Sequence, residues 1–208
     1  TPIQLAAERL EHKLADRLDA QSAELLSRNT QTIVKQVGSL KKMVDAFRDY
    51  ARMPTGKKKA IDLQHLVAEV LVLYEAAPVL RIDDAVGPLT VRGDTTHLRQ
   101  VIHNLMQNAQ DAIADSDEKQ IRVHTERHGA WARLTIEDSG PGFSQEMLPR
   151  IFEPYVTSKS KGTGLGLAIV KKIIEEHQGT IQIGNRETGG AFVRVDLPLW
   201  EEALHEQA

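Results

Sequence analysis

Two side-chain amides and a carboxylate line one face of a predicted helix. In the stretch IHNLMQNAQDAI, Asn104, Asn108 and Asp111 follow one another at steps of four and three, which places them on one side of an α-helix. Mg²⁺ prefers hard oxygen ligands and shares its coordination with water and substrate phosphates. A neutral amide oxygen, such as that of Asn108, can ligate the ion without adding negative charge beside those phosphates. The stripe therefore predicts a site for Mg²⁺ and a nucleotide, and a solvated helix face is the alternative.

A carboxylate at the end of a predicted strand is the candidate for binding the base. In ARLTIEDSG, strand alternation places Asp138 on the same face as Leu134 and Ile136, so that its carboxylate is buried and needs a donor. The 6-amino group of adenine is a suitable donor, whereas guanine presents a carbonyl oxygen that the carboxylate would repel. Gly140 and Gly142 follow, and glycine lets the backbone turn tightly against a flat ligand. The alternative is that Asp138 only caps the turn, as Asp before Ser-Gly often does.

A glycine-rich stretch before another predicted helix is the candidate for phosphate binding. In SKSKGTGLGLAIV, Gly162, Gly164 and Gly166 precede a helix, and the free amides of a helix start attract phosphate. Lys159 and Lys161 add positive charge. The stretch is neither a Walker loop, since no Gly-Lys-Ser/Thr follows, nor a dinucleotide fingerprint, since no βαβ unit surrounds it. A flexible glycine-rich loop is the alternative to a phosphate site.

The composition excludes several classes of protein. The 208 residues carry a net charge of −3, which provides no global basic field for nucleic acid. Cysteine is absent, which excludes disulfides and thiolate zinc sites. No apolar run in the sequence reaches the ~20 residues that a membrane span needs. We therefore expect no nucleic-acid partner and no membrane contact in this part of the chain.

The first 52 residues predict two helices. Apolar residues from Leu26 to Ala51 alternate steps of four and three, a heptad seam typical of helices packed at a shallow angle, and residues 3–14 carry a shorter version. Joined near residues 17–23, the two helices form an antiparallel hairpin. A hairpin of this size buries little alone, so we expect residues 1–52 to form a homodimer as a four-helix bundle. A hairpin that packs only on the rest of its own chain is the alternative.

The remaining sequence predicts an α+β domain. Residues 53–60, MPTGKKKA, have the composition of a linker. Over residues 61–208 helical and strand patterns mix, and paired strands with helices on one face indicate a two-layer α/β sandwich. The predicted helices are residues 63–74, 95–114 and 164–177, and the predicted strands are residues 120–126, 131–138 and a hairpin over 180–198.

Five motifs, taken in order, resemble those of sensor histidine kinases. HLRQVIHNLMQNAQDA, EDSGPGF, IFEPYVTSK and KGTGLGLAIV resemble the N, G1, F and G2 boxes, and TGGAF resembles the third glycine box, with Ala191 where many relatives carry a hydroxyl residue. TPIQLAAERL with QVGSLKKMVDAFRDYARMP resembles the dimerisation helices of NtrY-type nitrogen-regulation sensor kinases. The resemblance covers essentially the whole chain. It implies the Bergerat (GHKL) ATP-binding fold shared with gyrase, in which ATP lies under a mobile lid.

The resemblance implies a role for each matching residue. Asn108 would ligate Mg²⁺, Asp138 would bind adenine, and residues 156–163 would form the lid. Asn104 stands where relatives that hydrolyse ATP carry a glutamate base, so that transfer to a side chain is favoured over hydrolysis. The residues expected to bind Mg·ATP are Asn104, Asn108, Asp111, Asp138, Gly140, Gly142, Phe143, Tyr155, Thr157, Ser158, Lys159, Lys161, Gly162, Thr163, Gly164, Leu165, Gly166, Leu167 and Gly190.

The implied activity is that of a two-component sensor histidine kinase in nitrogen regulation. The intact enzyme would transfer the γ-phosphoryl group of ATP to a His of the dimerisation helix and then to an Asp of a response-regulator receiver domain. The alternatives are a non-catalytic ATP-dependent switch and a clamp-type ATPase of the gyrase class. The resemblance also implies the cytoplasmic portion of a bacterial protein anchored in the inner membrane.

The phosphoacceptor histidine is expected upstream of Thr1. In the family, TPIQL follows a segment resembling HEIKNPL, whose His accepts the phosphoryl group. We therefore expect this chain to be a fragment of a longer protein and to be unable to phosphorylate itself. His12 is followed by Lys13 rather than an acid, and we interpret it as a solvated helix residue.

Overall fold

The described part of the chain forms two compact units. The computed structural model describes residues 1–51, 57–83, 87–157, 159 and 162–200. The helical unit contains residues 1–51 together with Lys159, Gly162 and Thr163, and the sandwich unit contains the described residues from 57 to 157 and from 164 to 200.

The helical unit is the predicted hairpin. Helix α1 (Pro2–Leu14) is followed by a 3-10 turn (Ala15–Arg17), an extended Leu18 and helix α2 (Ala20–Ala51). The two helices run in opposite directions: Ser27 on α2 donates a hydrogen bond to Glu11 near the end of α1, and Gln4 near its start donates to the carbonyl of Val34. The fold class predicted for this part of the sequence is therefore present.

Few side chains of the helical unit are buried within the single chain. Among its described residues, Ala7 and Thr30 alone are buried. Large apolar side chains remain exposed on both helices, namely Ile3, Leu5, Leu10, Leu25, Ile33, Leu40 and Val44.

Seven strands and three helices make up the described part of the sandwich unit. The strands are β1 (Lys59–Asp62), β2 (Val79–Asp83), β3 (Thr90–Gly93), β4 (Ile121–His128), β5 (Trp131–Asp138), β6 (Thr180–Asn185) and β7 (Ala191–Pro198). The helices are α3 (Leu63–Leu71), α4 (Thr95–Ile113) and α5 (Gly166–Glu176). None of the helices in the described residues is both long and apolar enough to cross a membrane.

The main sheet has five strands in the order β2-β4-β5-β7-β6. Strand β2 runs parallel to β4, and the other neighbours are antiparallel. Alternate residues of the central strands are buried, such as Val123, Leu134 and Val195, which is the pattern of a sheet with one face in the core. On the other face, Arg133 binds both carboxylate oxygens of Asp196, at 2.7 and 2.9 Å. The predicted α+β sandwich is thus confirmed.

Four elements differ from the sequence expectations. Strands β2 and β3 are not predicted: β2 pairs in parallel with a strand some forty residues later, β3 pairs with the distant β1, and no hairpin pattern marks such pairs. Strand β1 includes Lys59 and Ala60, which the sequence analysis assigns to the linker; residues 53–56 of that linker lie outside the described residues. Helix α5 begins at Gly166, two residues later than predicted.

A buried histidine joins the end of α5 to the start of α4. His177 is 4% exposed, its Nε2 accepts a hydrogen bond from the Asp94 N–H at 3.0 Å, and its Nδ1 lies 2.7 Å from the carbonyl of Ile173. This pairing requires the neutral ring with its proton on Nδ1. Burial lowers the pKa of His177 and so favours the same neutral form.

The stability of the sandwich unit should fall as the pH drops below about 6.5. The unfolded chain binds a proton at His177 near that pH, whereas the folded chain binds it only at lower pH, so the contribution of the neutral ring is complete above this range and is lost below it. We expect His177→Gln to cost about 1–3 kcal/mol at pH 7.5 and to reduce the pH dependence. Urea unfolding at pH 7.5 and 5.5 measures both effects.

His65→Gln is the matched control, because the His65 side chain is 75% exposed. It should keep the stability and the pH dependence of the wild type. An equal loss of stability between pH 7.5 and 5.5 in wild type and His177→Gln would contradict the assignment.

Candidate functional site

Helix α4 carries the predicted amide stripe. Asn104 and Asn108 lie beside the buried apolar face of the helix and are half-buried. Asp111 is exposed, and one of its carboxylate oxygens accepts a hydrogen bond from Gln107 at 2.9 Å. Asp111 is thus more exposed than the two amides.

Asp138 lies where the strand alternation places it. It is 9% exposed and shares a buried face with Leu134 and Ile136. Its Oδ1 accepts hydrogen bonds from the N–H groups of Gly140 at 2.9 Å and Ala191 at 3.3 Å. The turn cap considered from the sequence is thus present, and it holds a buried carboxylate in one orientation. The backbone of Ala191 supplies a contact to Asp138 at the position where many relatives carry a hydroxyl group.

Two glycines allow the backbone to close around Asp138. A Cβ at Gly140 would lie 2.8 Å from the carbonyl oxygen of Ala112 in α4 and 2.9 Å from Oδ1 of Asp138. A Cβ at Gly190 would lie 1.9 Å from the carbonyl oxygen of Asp138. Neither position can hold a larger residue without moving the strand end, so the two glycines set the geometry of the carboxylate.

Helix α5 begins without a side-chain cap from the described residues. The N–H groups of a first helical turn have no partner within the helix. Asp62 and Asp94 cap α3 and α4, whereas the residue at the start of α5 is Leu165, whose side chain is fully buried in the core. The uncapped end carries the positive pole of the helix dipole and suits an anion.

The loop after Asp138 and the start of α5 contact α4 one turn apart. Gly140, two residues after Asp138, approaches α4 at Ala112, and a Cβ at Gly166 would lie 4.0 Å from Nδ2 of Asn108. Four residues of an α-helix span about 6 Å. The arrangement therefore suits an elongated ligand with a hydrogen-bond donor at one end and negative charge at the other.

The donor set near Asn108 fits a divalent ion that shares its ligands with phosphate. Among the described residues no cluster of three His, Cys, Asp or Glu side chains could hold a metal alone. An amide oxygen of Asn108 beside an anion site suits Mg²⁺, which keeps waters and substrate oxygens in its shell. One turn earlier, Nδ2 of Asn104 is buried and has no hydrogen-bond partner in the part of the chain that the structure describes. A buried donor of this kind is satisfied by a ligand oxygen or water.

The ends of the predicted lid are joined by a strained turn. The N–H of Tyr155 donates to the carbonyl of Gly164 at 3.0 Å, so that the residues on either side of the predicted lid, 156–163, lie side by side. Tyr155 has a φ of 69°, which costs roughly 1–3 kcal/mol in a non-glycine residue. A Cβ at Gly164 would lie 2.5 Å from the backbone of Tyr155.

The other predicted site residues fall into three groups. Gly142 and Phe143 follow Gly140 in the loop after β5, and Leu167 lies in the first turn of α5. Thr157 is exposed, whereas Lys159, Gly162 and Thr163 group with the helical unit. Ser158 and Lys161 lie outside the described residues.

Two residues that contact the base end are not among those expected from the sequence. Asn185, the last residue of β6, hydrogen-bonds to the backbone of Phe143, and Arg186 donates to the carbonyl of Asp138. Both contacts join positions more than forty residues apart. An Asn-Arg pair before a glycine turn looks like turn chemistry alone, so no local signal marks them.

Comparison with known proteins identifies relatives of the whole chain and of the sandwich. Residues 93–201 match the family described as histidine kinase-, DNA gyrase B-, and HSP90-like ATPase. The nitrogen regulation protein NtrY of Azorhizobium caulinodans is 38% identical over 205 residues, which cover 95% of this chain and 26% of that protein. The chain spans about a quarter to a third of the length of the curated relatives that it matches.

Solved structures of one histidine kinase, ThkA, share the fold. Its catalytic domain is 34% identical with a TM-score of 0.60, covering 68% of this chain and 95% of that one. The structure of ThkA in complex with the response regulator TrrA has a TM-score of 0.70 at 27% identity, covering 94% of this chain and 57% of that one. The resemblance to NtrY-type sensor kinases and the Bergerat-type fold are confirmed. Since the matched family covers more than half of the residues, the chain belongs to the histidine kinase-, DNA gyrase B- and HSP90-like ATPases, which implies that it binds ATP.

Proposed function

We propose that this chain is the core of a sensor histidine kinase. In the intact protein, the γ-phosphoryl group of ATP passes to a His of the dimerisation helix and then to an Asp of a response-regulator receiver domain. The observation that carries the proposal is the pair formed by the buried carboxylate of Asp138 and the start of α5, which has no side-chain cap from the described residues; the loop after Asp138 and this helix start contact α4 one turn apart. The identity to NtrY over 95% of this chain supports the same activity.

The two ends of the site bind different parts of ATP. Asp138 accepts a hydrogen bond from the 6-amino group of adenine, while Gly140 and Gly142 shape the base pocket. The first turn of α5, from Gly166, receives the phosphates. Asn108 would hold Mg²⁺, which when bound neutralises charge on the phosphate oxygens.

Asn104 favours transfer over hydrolysis. An amide cannot accept a proton from an attacking water molecule, whereas a carboxylate at this position could. The buried Nδ2 of Asn104 instead offers a donor to a phosphate oxygen or to a water in the metal shell. This observation argues against the clamp-type ATPase, although it does not separate a kinase from a non-catalytic switch.

Asp138→Asn should weaken ATP binding by about ten- to a hundredfold. Oδ1 of the new amide can still accept from Gly140 and Ala191, which turns its NH₂ group toward the adenine donor. The lost charge-assisted hydrogen bond is worth roughly 1.5–3 kcal/mol, and each 1.4 kcal/mol is tenfold in affinity. Calorimetric titration with ATP, ADP and GTP, with and without Mg²⁺, measures the change.

In that titration the binding of GTP should strengthen, because the NH₂ group of the new amide can donate to the guanine carbonyl oxygen that the carboxylate repels. An unaltered dissociation constant for ATP would show that Asp138 is not the adenine acceptor.

Phosphoryl transfer is tested by restoring the acceptor helix. A chain of residues 1–208 should bind Mg·ATP. It should remain unlabelled by radioactive ATP, because none of its histidines stands in an acceptor motif. A chain extended upstream to include the complete acceptor segment should carry an acid-labile phosphoryl group. Asn108→Ala in the extended chain should abolish labelling, since it removes the proposed metal ligand.

Three results separate the candidate functions. Labelling of the extended chain supports the kinase. Steady release of ADP without labelling would indicate an ATPase, and ATP that stays bound and unchanged would indicate a switch.

We also propose that the helical unit forms a homodimer. Its large apolar residues, including Ile33, Leu40 and Val44, remain exposed in the single chain, at 46%, 58% and 63%. Exposed apolar residues that recur along one helix face mark a surface that packs against another chain. A second hairpin provides the matching seam and completes a four-helix bundle.

The double variant Ile33→Glu with Leu40→Glu should be monomeric. Burial of each side chain contributes about 1.5–3 kcal/mol, so the dimer dissociation constant should rise at least a hundredfold. Sedimentation equilibrium measures it. Arg28→Glu, on another side of α2, is the control that should remain dimeric. A wild-type chain that is monomeric at every concentration would favour a hairpin that packs only on the rest of its own chain.

The receiver domain and the membrane anchor are the remaining parts of the proposal. The ThkA structure contains a response regulator, which supports a receiver domain as the partner of this chain. An inner-membrane anchor with residues 1–208 on the cytoplasmic side follows from the likeness to NtrY-type sensors.

A further inference from the structure

The loop that carries the base pocket is tied to a neighbouring hairpin by one side chain. Oδ1 of Asn185 accepts a hydrogen bond from the N–H of Phe143 at 2.7 Å, and its Nδ2 donates to the carbonyl of Phe143, also at 2.7 Å. Both bonds are at the short end of the usual range for N–H···O bonds. Together they fix the position and the orientation of the backbone at Phe143.

The same amide lies against the turn of the loop. A Cβ at Gly142 would lie 2.7 Å from Oδ1 of Asn185, and Gly142 has a φ of +76°, which a side chain rarely adopts. Asn185 therefore contacts the loop at Gly142, the residue whose backbone is in the left-handed conformation.

The hairpin between β6 and β7 also holds the start of the loop. Arg186 donates to the carbonyl of Asp138 at 3.2 Å, and the N–H of Ala191 donates to Oδ1 of the same residue at 3.3 Å. Asp138 and Phe143 mark the two ends of the loop, so the hairpin controls the geometry of the whole segment.

We propose that Asn185 is a positioning residue for recognition of the base, an inference that rests on the proposed function. Its amide keeps residues 139–143 in the conformation that receives adenine before the nucleotide arrives. Without it, only a fraction of molecules holds the competent loop, and the apparent affinity falls by that fraction. The hydrogen bonds of Asn185 go to Phe143 and not to the start of α5. Loss of the Asn185 side chain should therefore leave phosphate binding unaffected.

Asn185→Ala should raise the dissociation constant for ATP about tenfold, as the loss of two hydrogen bonds to the loop predicts. The dissociation constant for inorganic triphosphate, measured by competition with ATP, should stay the same. Exchange of the Phe143 amide hydrogen in the nucleotide-free protein should accelerate by a similar factor. Glu187→Gln, an exposed position in the same turn, is the matched control and should alter none of the three measurements.

Asn185→Asp is the second variant. It keeps an acceptor for the Phe143 N–H but places a carboxylate oxygen against the Phe143 carbonyl, so it should lose as much affinity as Asn185→Ala. Wild-type affinity for ATP in both variants, an equal loss for ATP and triphosphate, or failure of both variants to fold would each overturn the inference. If Asp138→Asn weakens ATP binding and Asn185→Ala does not, only this inference fails; if neither weakens it, the base site itself is wrongly assigned.

Discussion

The site depends on two contacts of backbone with a single helix, one of them a close approach at Gly140. Gly140 packs on Ala112 and Gly166 faces Asn108, so both ends of the site use α4 as their common support. Because the interior is close-packed, a side chain at Gly140 would displace the loop and Asp138 with it. The two points of α4 that support the base loop and the start of α5 are therefore one helical turn apart.

The start of α5 shows how binding competes with helix stability. A capping Ser, Thr, Asn or Asp typically stabilises a helix start by about 1 kcal/mol. The residue at this position is Leu165, whose side chain fills the core, whereas α3 and α4 use Asp62 and Asp94. A carboxylate at the start of α5 would occupy the amides and repel phosphate. Anchoring the loop through an apolar residue keeps the helix end in place and its amides available to a ligand.

Local periodicity predicts most of the fold and part of the site. Alternation along β5 correctly places Asp138 with Leu134 and Ile136, since burial of one sheet face enforces it. Helical spacing is less informative: Asp111 lies within about 60° of both amides around the helix, yet it is exposed whereas they are half-buried, because burial depends on what covers each turn. The Asn185 contact to Phe143 joins a side chain to a distant backbone, and such contacts leave no pattern in the sequence.

In the helical unit, the residues that join α1 to α2 differ from the exposed apolar residues that a second chain could contact. Small or polar residues, such as Ala7, Thr30 and Ser27, lie between α1 and α2, where they allow the helices to approach closely. Several larger apolar residues, such as Ile33, Leu40 and Val44, are exposed, so the hydrophobic free energy of burying them is still available to a second chain. The hydrogen bond between Ser27 and Glu11 sets the register of one hairpin, and burial of side chains such as Leu40 would provide the affinity between two.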